Sequence, residues 1–199
     1  TIAKISKEIN AHLVHYSTDY VFDGKKRDPY NELDQTGPVG IYGKSKFLGE
    51  KKILDSECEY YIFRTSWVIS EFGDNFLLKM LKFFKSNSPL KIVDDQYGVP
   101  TDAKFLADNS LKLVSNADAR NNIINLVPSG STSWYNLAVY LHKKVKNLST
   151  DFKLGRNHIL PISSVDYKTL AKRPRNSILS NEKFSEKLGK LGVQNNNHL

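Results

Sequence analysis

The sequence predicts an α/β fold built on a mostly parallel sheet, with a smaller lobe toward the C-terminus. Three observations carry this expectation. Short apolar runs bounded by turn residues alternate with stretches of helical spacing from residue 1 to about residue 146. The segment 151–199 loses that alternation. The composition, 40% hydrophobic and 25% charged over 199 residues, is that of an ordinary globular chain rather than a disordered, collagenous or disulfide-stapled one.

Thr1–Asn10 reads as an amphipathic helix, with Ile2, Ile5 and Ile9 spaced three and four apart, and not as a signal peptide. Ala11–Ser17 reads as a short buried strand. From Thr18 to about Ile41 the chain is a loop punctuated by Asp23-Gly24, Asp28-Pro29 and Gly37-Pro38, too long for a simple turn and more in keeping with a functional or a disordered segment. Residues 42–56 form a second helix with Phe47, Leu48 and Leu54 as a partial apolar face. Tyr60–Val68 is a strand running into a loop. Gly73-Asp74-Asn75 precedes an apolar helix containing Phe76, Met80 and Phe84, with Asp74 or Asn75 as its cap. Leu90–Val93 is a strand, and Thr101-Asp102 caps a helix reaching about Val114. Ile123–Val127 is a strand, and Ser131–Ser133 starts a helix to about Lys146. Beyond it lie the short apolar stretches Ile159–Ile162 and Ser177–Leu179, a small helix from Asn181, and a frayed tail at Gln194–Asn197.

Charge narrows the partners. With 29 Lys+Arg against 21 Asp+Glu, the net charge is +8, which favours acidic ligands such as nucleotides. The densest basic groups, Lys25–Arg27, Lys143–Lys146 and Lys172–Arg175, read as solvated faces. No recognition helix, zinc spacing or aromatic RNA-binding pattern accompanies them, so nucleic acid is not an expected partner. No apolar run approaches the ~20 residues of a membrane span. The single cysteine, Cys58, cannot pair within the chain, which suits a reducing, cytoplasmic setting; at a strand start it reads as a small core residue. The histidines show no ligand spacing, and no metal site is expected on them.

Tyr42 and Lys46 stand four apart, so a helix would place phenol and ammonium on one face. An ammonium beside a phenol favours the phenolate and suits the tyrosine to proton transfer near neutral pH. The spacing alone is weak, because it recurs at Tyr140 and Lys144, which no polar strand end leads into. Ser17-Thr18-Asp19 closes a strand, and ligands of open α/β sheets bind beyond the carboxyl ends of strands. Alone it reads more readily as a strand-ending turn. Gly37, Gly40 and Gly43 share a three-residue spacing, but no strand leads directly into them, and they are not a phosphate loop.

The combination is more specific than its parts. His15–Gly24, Tyr42–Lys46 with Gly49-Glu50, Arg64–Val68 and Asp95–Thr101 follow in order, joined by Gly73–Phe76 and Arg173–Leu179. From about residue 2 to about residue 190 the sequence resembles the dTDP-4-dehydrorhamnose reductase family, within the extended short-chain dehydrogenases/reductases. The resemblance implies a Rossmann-like doubly wound parallel sheet. Residues 1–150 would supply its second half, and residues 151–199 a substrate lobe with segments from the 70–100 region. The family begins with a strand, a glycine-rich phosphate loop and further β-α units. About half of a dinucleotide-binding domain, at roughly 30 residues per unit, is therefore expected to precede Thr1 in the complete protein.

The activity implied is reduction of the 4-keto group of dTDP-4-dehydro-L-rhamnose to dTDP-L-rhamnose by hydride from NADPH or NADH. Tyr42 would donate the proton, Lys46 would hold the nicotinamide ribose, Ser17 would lie beside the cofactor, and Thr18 would polarise the substrate carbonyl. Asp19, Tyr20 and Trp67 would line the sugar site, with Asn75, Arg173 and Asn176 as further nucleotide or substrate contacts. Gln96 and Tyr97 would shape a loop. Some family members are homodimers with Mg2+ at the interface. The alternative is a non-catalytic regulatory subunit of the same fold, of the kind that binds methionine adenosyltransferase. Arg64–Val68, Asp95–Thr101 and the complete Thr18, Tyr42 and Lys46 set favour the reductase.

Overall fold

The computed structural model describes residues 1–190 apart from residues 87, 116–119, 147, 150 and 168. In chain order its elements are α1 (Ile2–Glu8), β1 (Leu13–Thr18), α2 (Ile41–Leu54), β2 (Tyr60–Thr65), β3 (Val68–Ile69), α3 (Phe76–Phe84), β4 (Leu90–Val93), β5 (Tyr97–Gly98), β6 (Thr101–Asp102), α4 (Ala103–Val114), β7 (Asn122–Asn125), β8 (Thr132–Ser133), α5 (Trp134–Val145), β9 (Ile159–Ile162) and α6 (Glu182–Gly189). The expected tail at Gln194–Asn197 lies outside the described residues.

Side chains alternate across a strand, and β2 sends bulky groups both ways. Tyr61 and Phe63 pack with Leu106 and Leu113 of α4, Ile124 and Leu126, and Phe184 and Leu188 of α6. Ile62 packs with Ala3 of α1, Ile53 of α2 and the buried Cys58. Helices therefore cover both faces of a sheet in which β2 is central, paired in parallel with β1 from Leu13↔Tyr60 to Thr18↔Thr65 and with β7 from Tyr61↔Asn122 to Arg64↔Asn125. This is the doubly wound parallel arrangement anticipated from the sequence. Asn75 and not Asp74 caps α3, accepting from Leu78 N at 3.2 Å, while Asp102 and Ser133 cap α4 and α5.

Three local expectations are corrected. The isoleucine stripe of α1 faces solvent, with Ile2, Ile5 and Ile9 at 71%, 48% and 67% exposure, while Ala3 and Ser6 are buried instead. On α2, Leu48 and Leu54 are exposed and the buried residues are Gly43, Glu50 and Ile53. β1 is not buried along its length: Val14 and Tyr16 are exposed and only Ser17 and Thr18 are buried. Helical spacing identifies a stripe, but close backbone approach and a buried ion pair decided which faces docked.

A second packing unit stands beside the sheet. β4 and β9 pair in parallel from Leu90↔Ile159 to Val93↔Ile162. Met80 and Phe84 of α3, Ile92, Ala138 of α5, Leu154 and Ile159 form its core. The buried His142 of α5 bonds through Nε2 to the Leu154 carbonyl at 2.7 Å. Although α6 follows this unit in sequence, it packs back on the sheet. The long loop after β1 is also anchored. Tyr30 N donates to Ile178 O and Ser180 N to Tyr30 O, both at 2.8 Å, and Tyr30 stacks on Phe22 with ring centroids 4.3 Å apart. Among the described residues no helix is long and apolar enough to cross a membrane.

Candidate active site

β1 ends in Ser17 and Thr18, followed directly by Asp19, and these three polar residues are only 3%, 4% and 2% exposed. Burying polar groups in succession requires partners or a ligand. A cavity of about 760 Å³ opens beyond these strand ends. The sheet side contributes Ser17, Thr18, Asp19, Tyr20, Tyr42 and the Thr65–Val68 segment; the opposite side contributes Phe76 and Met80 of α3 and Trp134 of α5, with Arg173 at the margin.

Thr18 Oγ1 donates to Asp19 Oδ1 at 2.9 Å and accepts from Tyr20 N at 3.2 Å. Asp19 Oδ2 is buried without a hydrogen-bond partner. Burial pushes the Asp19 carboxyl up to about 7, against the pull of the nearby Ser177 and Thr18 hydroxyls. Burial likewise pushes the Tyr20 phenol up to about 12, reinforced by the Asp19 charge. Tyr42, in the first turn of α2, is 57% exposed, and its ring meets Tyr20 edge-on at 6.1 Å. Gly43 makes this contact possible, since a Cβ there would lie 2.1 Å from the Tyr20 carbonyl oxygen. One turn on, Lys46 Nζ donates to the Tyr16 carbonyl. Burial lowers the Lys46 pKa, with the Glu50 charge opposing.

Beneath β1 lies a network that the sequence reading did not assemble. Arg64 of β2 clamps Glu50 of α2 bidentately, Nε to Oε1 at 3.0 Å and Nη2 to Oε2 at 2.7 Å. Both side chains are buried, and the guanidinium lies 5.1 Å from the Phe22 ring centroid. Ser17 Oγ donates to the same Glu50 Oε1. The hydroxyl expected beside the cofactor is thus held by a carboxylate behind the strand. Both ions sit in segments already singled out, but nothing in the spacing pairs them.

The opposite wall is aromatic. Trp67 occupies left-handed backbone at φ 43° and lies parallel on Trp134, centroids 3.5 Å apart and planes 8° from coplanar. Phe76 leans on Trp134 at 4.6 Å. A Cβ at Gly98 would lie 2.4 Å from the Trp67 ring, so the glycine lets the indole sit flat on the backbone. Trp134 was not anticipated; its one signal was being the only other tryptophan.

The remaining expected residues are placed differently. Arg173 lines the cavity, whereas Lys46, Asn75 and Asn176 do not. The Asn75 amide caps α3 and donates to Ser70 O and Phe72 O. Asn176 Nδ2 donates to the carbonyls of Lys26, Arg27 and Asp28, tying down the loop after β1. Tyr140 is exposed, with Lys144 over its own ring. Among the described residues no group of three or more His, Cys, Asp or Glu side chains could hold a metal ion.

The chain is similar to known proteins along most of its length. The chain is 37% identical over 188 residues to a dTDP-4-dehydrorhamnose reductase of Escherichia coli strain K12, covering 93% of this chain and 62% of that protein. It is 39% identical over 186 residues to the reductase of the same name from Salmonella typhimurium, covering 92% and 62%. A crystal structure of dTDP-4-dehydrorhamnose reductase from Bacillus anthracis, in complex with NADP, superposes with a TM-score of 0.84 at 30% identity, covering 93% of this chain and 62% of that one. The chain thus spans less than two thirds of the length of these relatives. The family described as the RmlD substrate binding domain matches residues 1–196, and this chain belongs to it.

Proposed function

We propose that this chain is part of an NAD(P)H-dependent reductase that converts the 4-keto group of dTDP-4-dehydro-L-rhamnose to the alcohol of dTDP-L-rhamnose. The observation that carries this reading is the meeting of Thr18 and Tyr42 on one wall of a cavity faced by Trp67. The relatives named above are reductases, which leaves the regulatory-subunit alternative without support.

The residues present fit the nicotinamide end of such a cofactor. Lys46 gives one of its three N–H groups to Tyr16 O, leaving donors for ribose hydroxyls beside Tyr42. When bound, NADPH or NADH supplies the hydride that adds to the substrate's C4. Negative charge then develops on the carbonyl oxygen, so a donor already aimed there acts most strongly in the transition state. Tyr42 delivers its phenolic proton to that oxygen. Thr18 orients the carbonyl. Lys46 sets the local charge, and Ser17, fastened to Glu50, fixes the strand end that presents Thr18. Trp67 offers the sugar a flat apolar face with one N–H donor. Arg173 reaches the anionic end of the substrate. We further propose that the substrate lobe is the unit built from α3, β4, α5 and β9, and that the enzyme works in the cytoplasm.

The test is turnover by the complete gene product: NADPH oxidation that requires the 4-keto sugar. Tyr42→Phe lowers turnover by about 10²–10⁴, the usual contribution of a general acid. Unchanged turnover removes Tyr42 from this role.

A further inference from the structure

Two carboxylates are buried among the described residues, and they are treated differently. Glu50 is matched by Arg64. Among the described residues Asp19 meets no cation within ion-pair distance, and its Oδ2 has no hydrogen-bond partner. Its other oxygen receives the Thr18 hydrogen. A threonine hydroxyl has one hydrogen and two lone pairs. In this arrangement the hydrogen goes to Asp19 and one lone pair takes Tyr20 N–H. Thr18 then has nothing to donate to a substrate oxygen.

We propose that Asp19 is a positioning residue that sets the direction of the Thr18 hydroxyl: a protonated Asp19 carboxyl donates to Thr18 Oγ1 and frees the Thr18 hydrogen for the substrate carbonyl. This rests on the reductase reading above. With both lone pairs of Oγ1 filled, by Tyr20 N–H and by the Asp19 O–H, the hydroxyl hydrogen is the group left to point into the cavity. The proton comes from solvent and returns to it, so the carboxyl is neither consumed nor made the acid of the reaction.

The surroundings favour a carboxyl that holds its proton near neutrality. Burial raises its pKa to about 7, although the Ser177 and Thr18 hydroxyls lower it. Among the described residues, the titratable and charged side chains around the cavity are Tyr20, Tyr42, Tyr167, Lys79, Lys91 and Arg173, and none bonds to Asp19. Arg173 is exposed and acts on Tyr20, while Lys79 pairs with Asp74. The diphosphate of a nucleotide-sugar would add negative charge nearby and favour the protonated form further.

The experiment is the pH dependence of kcat in the complete gene product from about pH 5.5 to 9, for wild type, Asp19→Asn and Thr18→Val. In the wild type, kcat falls as pH rises through about 7, by roughly 10²- to 10³-fold if loss of the Thr18 donor resembles loss of an oxyanion donor. Asp19→Asn presents an amide that donates to Thr18 at every pH, so this fall disappears. Thr18→Val is slow throughout and also lacks it. A flat wild-type profile, or a fall shared by all three proteins, overturns the proposal. Carbon-13 NMR of the Asp19 carboxyl gives an independent answer if the Asn variant does not fold. A midpoint near 7 that moves higher in Thr18→Val is expected, and a midpoint in the ordinary carboxylate range overturns the proposal. Wild type without substrate-dependent oxidation at any pH instead defeats the reductase reading, and the NMR midpoint still judges the Asp19–Thr18 coupling.

Discussion

On the sheet side of the cavity, Ser17, Glu50 and Arg64 form a chain of charge-assisted hydrogen bonds, with the two ionised side chains 1% and 3% exposed. On the lobe side, Trp67 sits on Gly98 and stacks face to face on Trp134, against which Phe76 leans obliquely. The first wall is directional. A bidentate guanidinium–carboxylate pair in a low dielectric admits one geometry and leaves a buried charge if either partner goes. The second wall is held by dispersion and apolar burial, which fall away gradually with displacement. The proposed chemistry lies on the directional wall, where a hydroxyl and a phenol must hit one oxygen. The adaptable wall is the one proposed to take the body of the sugar.

The strongest way to break this contrast is Glu50→Ala. Stranding Arg64 in the interior lowers the unfolding free energy by about 3–5 kcal/mol, measured by denaturant titration. Replacing both ions with apolar residues, Glu50→Leu with Arg64→Met, loses less than Glu50→Ala alone. If the double variant is worse, the wall is not governed by charge. Gly98→Ala probes the other wall. Its new methyl displaces the Trp67 ring, lowering stability by about 1–3 kcal/mol and raising KM more than it lowers kcat. A larger stability loss than that of Glu50→Ala would reverse the ranking of the walls. The smallest effect is expected at Asn75, outside both. Loss of its cap in Asn75→Ala lowers stability by about 1 kcal/mol with KM unchanged. A clear rise in KM would return Asn75 to the substrate site.

Much of this architecture was legible. The alternation of apolar strands and helices gave the parallel sheet, and capping chemistry placed the starts of α3, α4 and α5 within a residue or two. Ser17-Thr18-Asp19 at a strand end and Tyr42 at a helix start were found as local patterns, and the structure places them on one cavity. What stayed hidden was long-range. Glu50 and Arg64 are 14 residues apart on different elements, and Trp67 and Trp134 are farther apart still. No periodicity connects either pair. The isoleucines of α1 misled for the same reason: a 3.6-residue period locates a stripe on a helix but carries no information about what stands opposite it.

By itself, then, the sequence determined where the main helices and the longer strands lie, and it offered the side chains proposed for proton transfer. These follow from propensity, capping and spacing within a few residues. Only the tertiary structure decided that Asp19 is buried with no cation beside it among the described residues, that Ser17 serves Glu50, and that two tryptophans share one face. Burial and pairing belong to atoms brought together from distant parts of the chain, and they alone set the local dielectric in which a carboxyl holds or releases its proton.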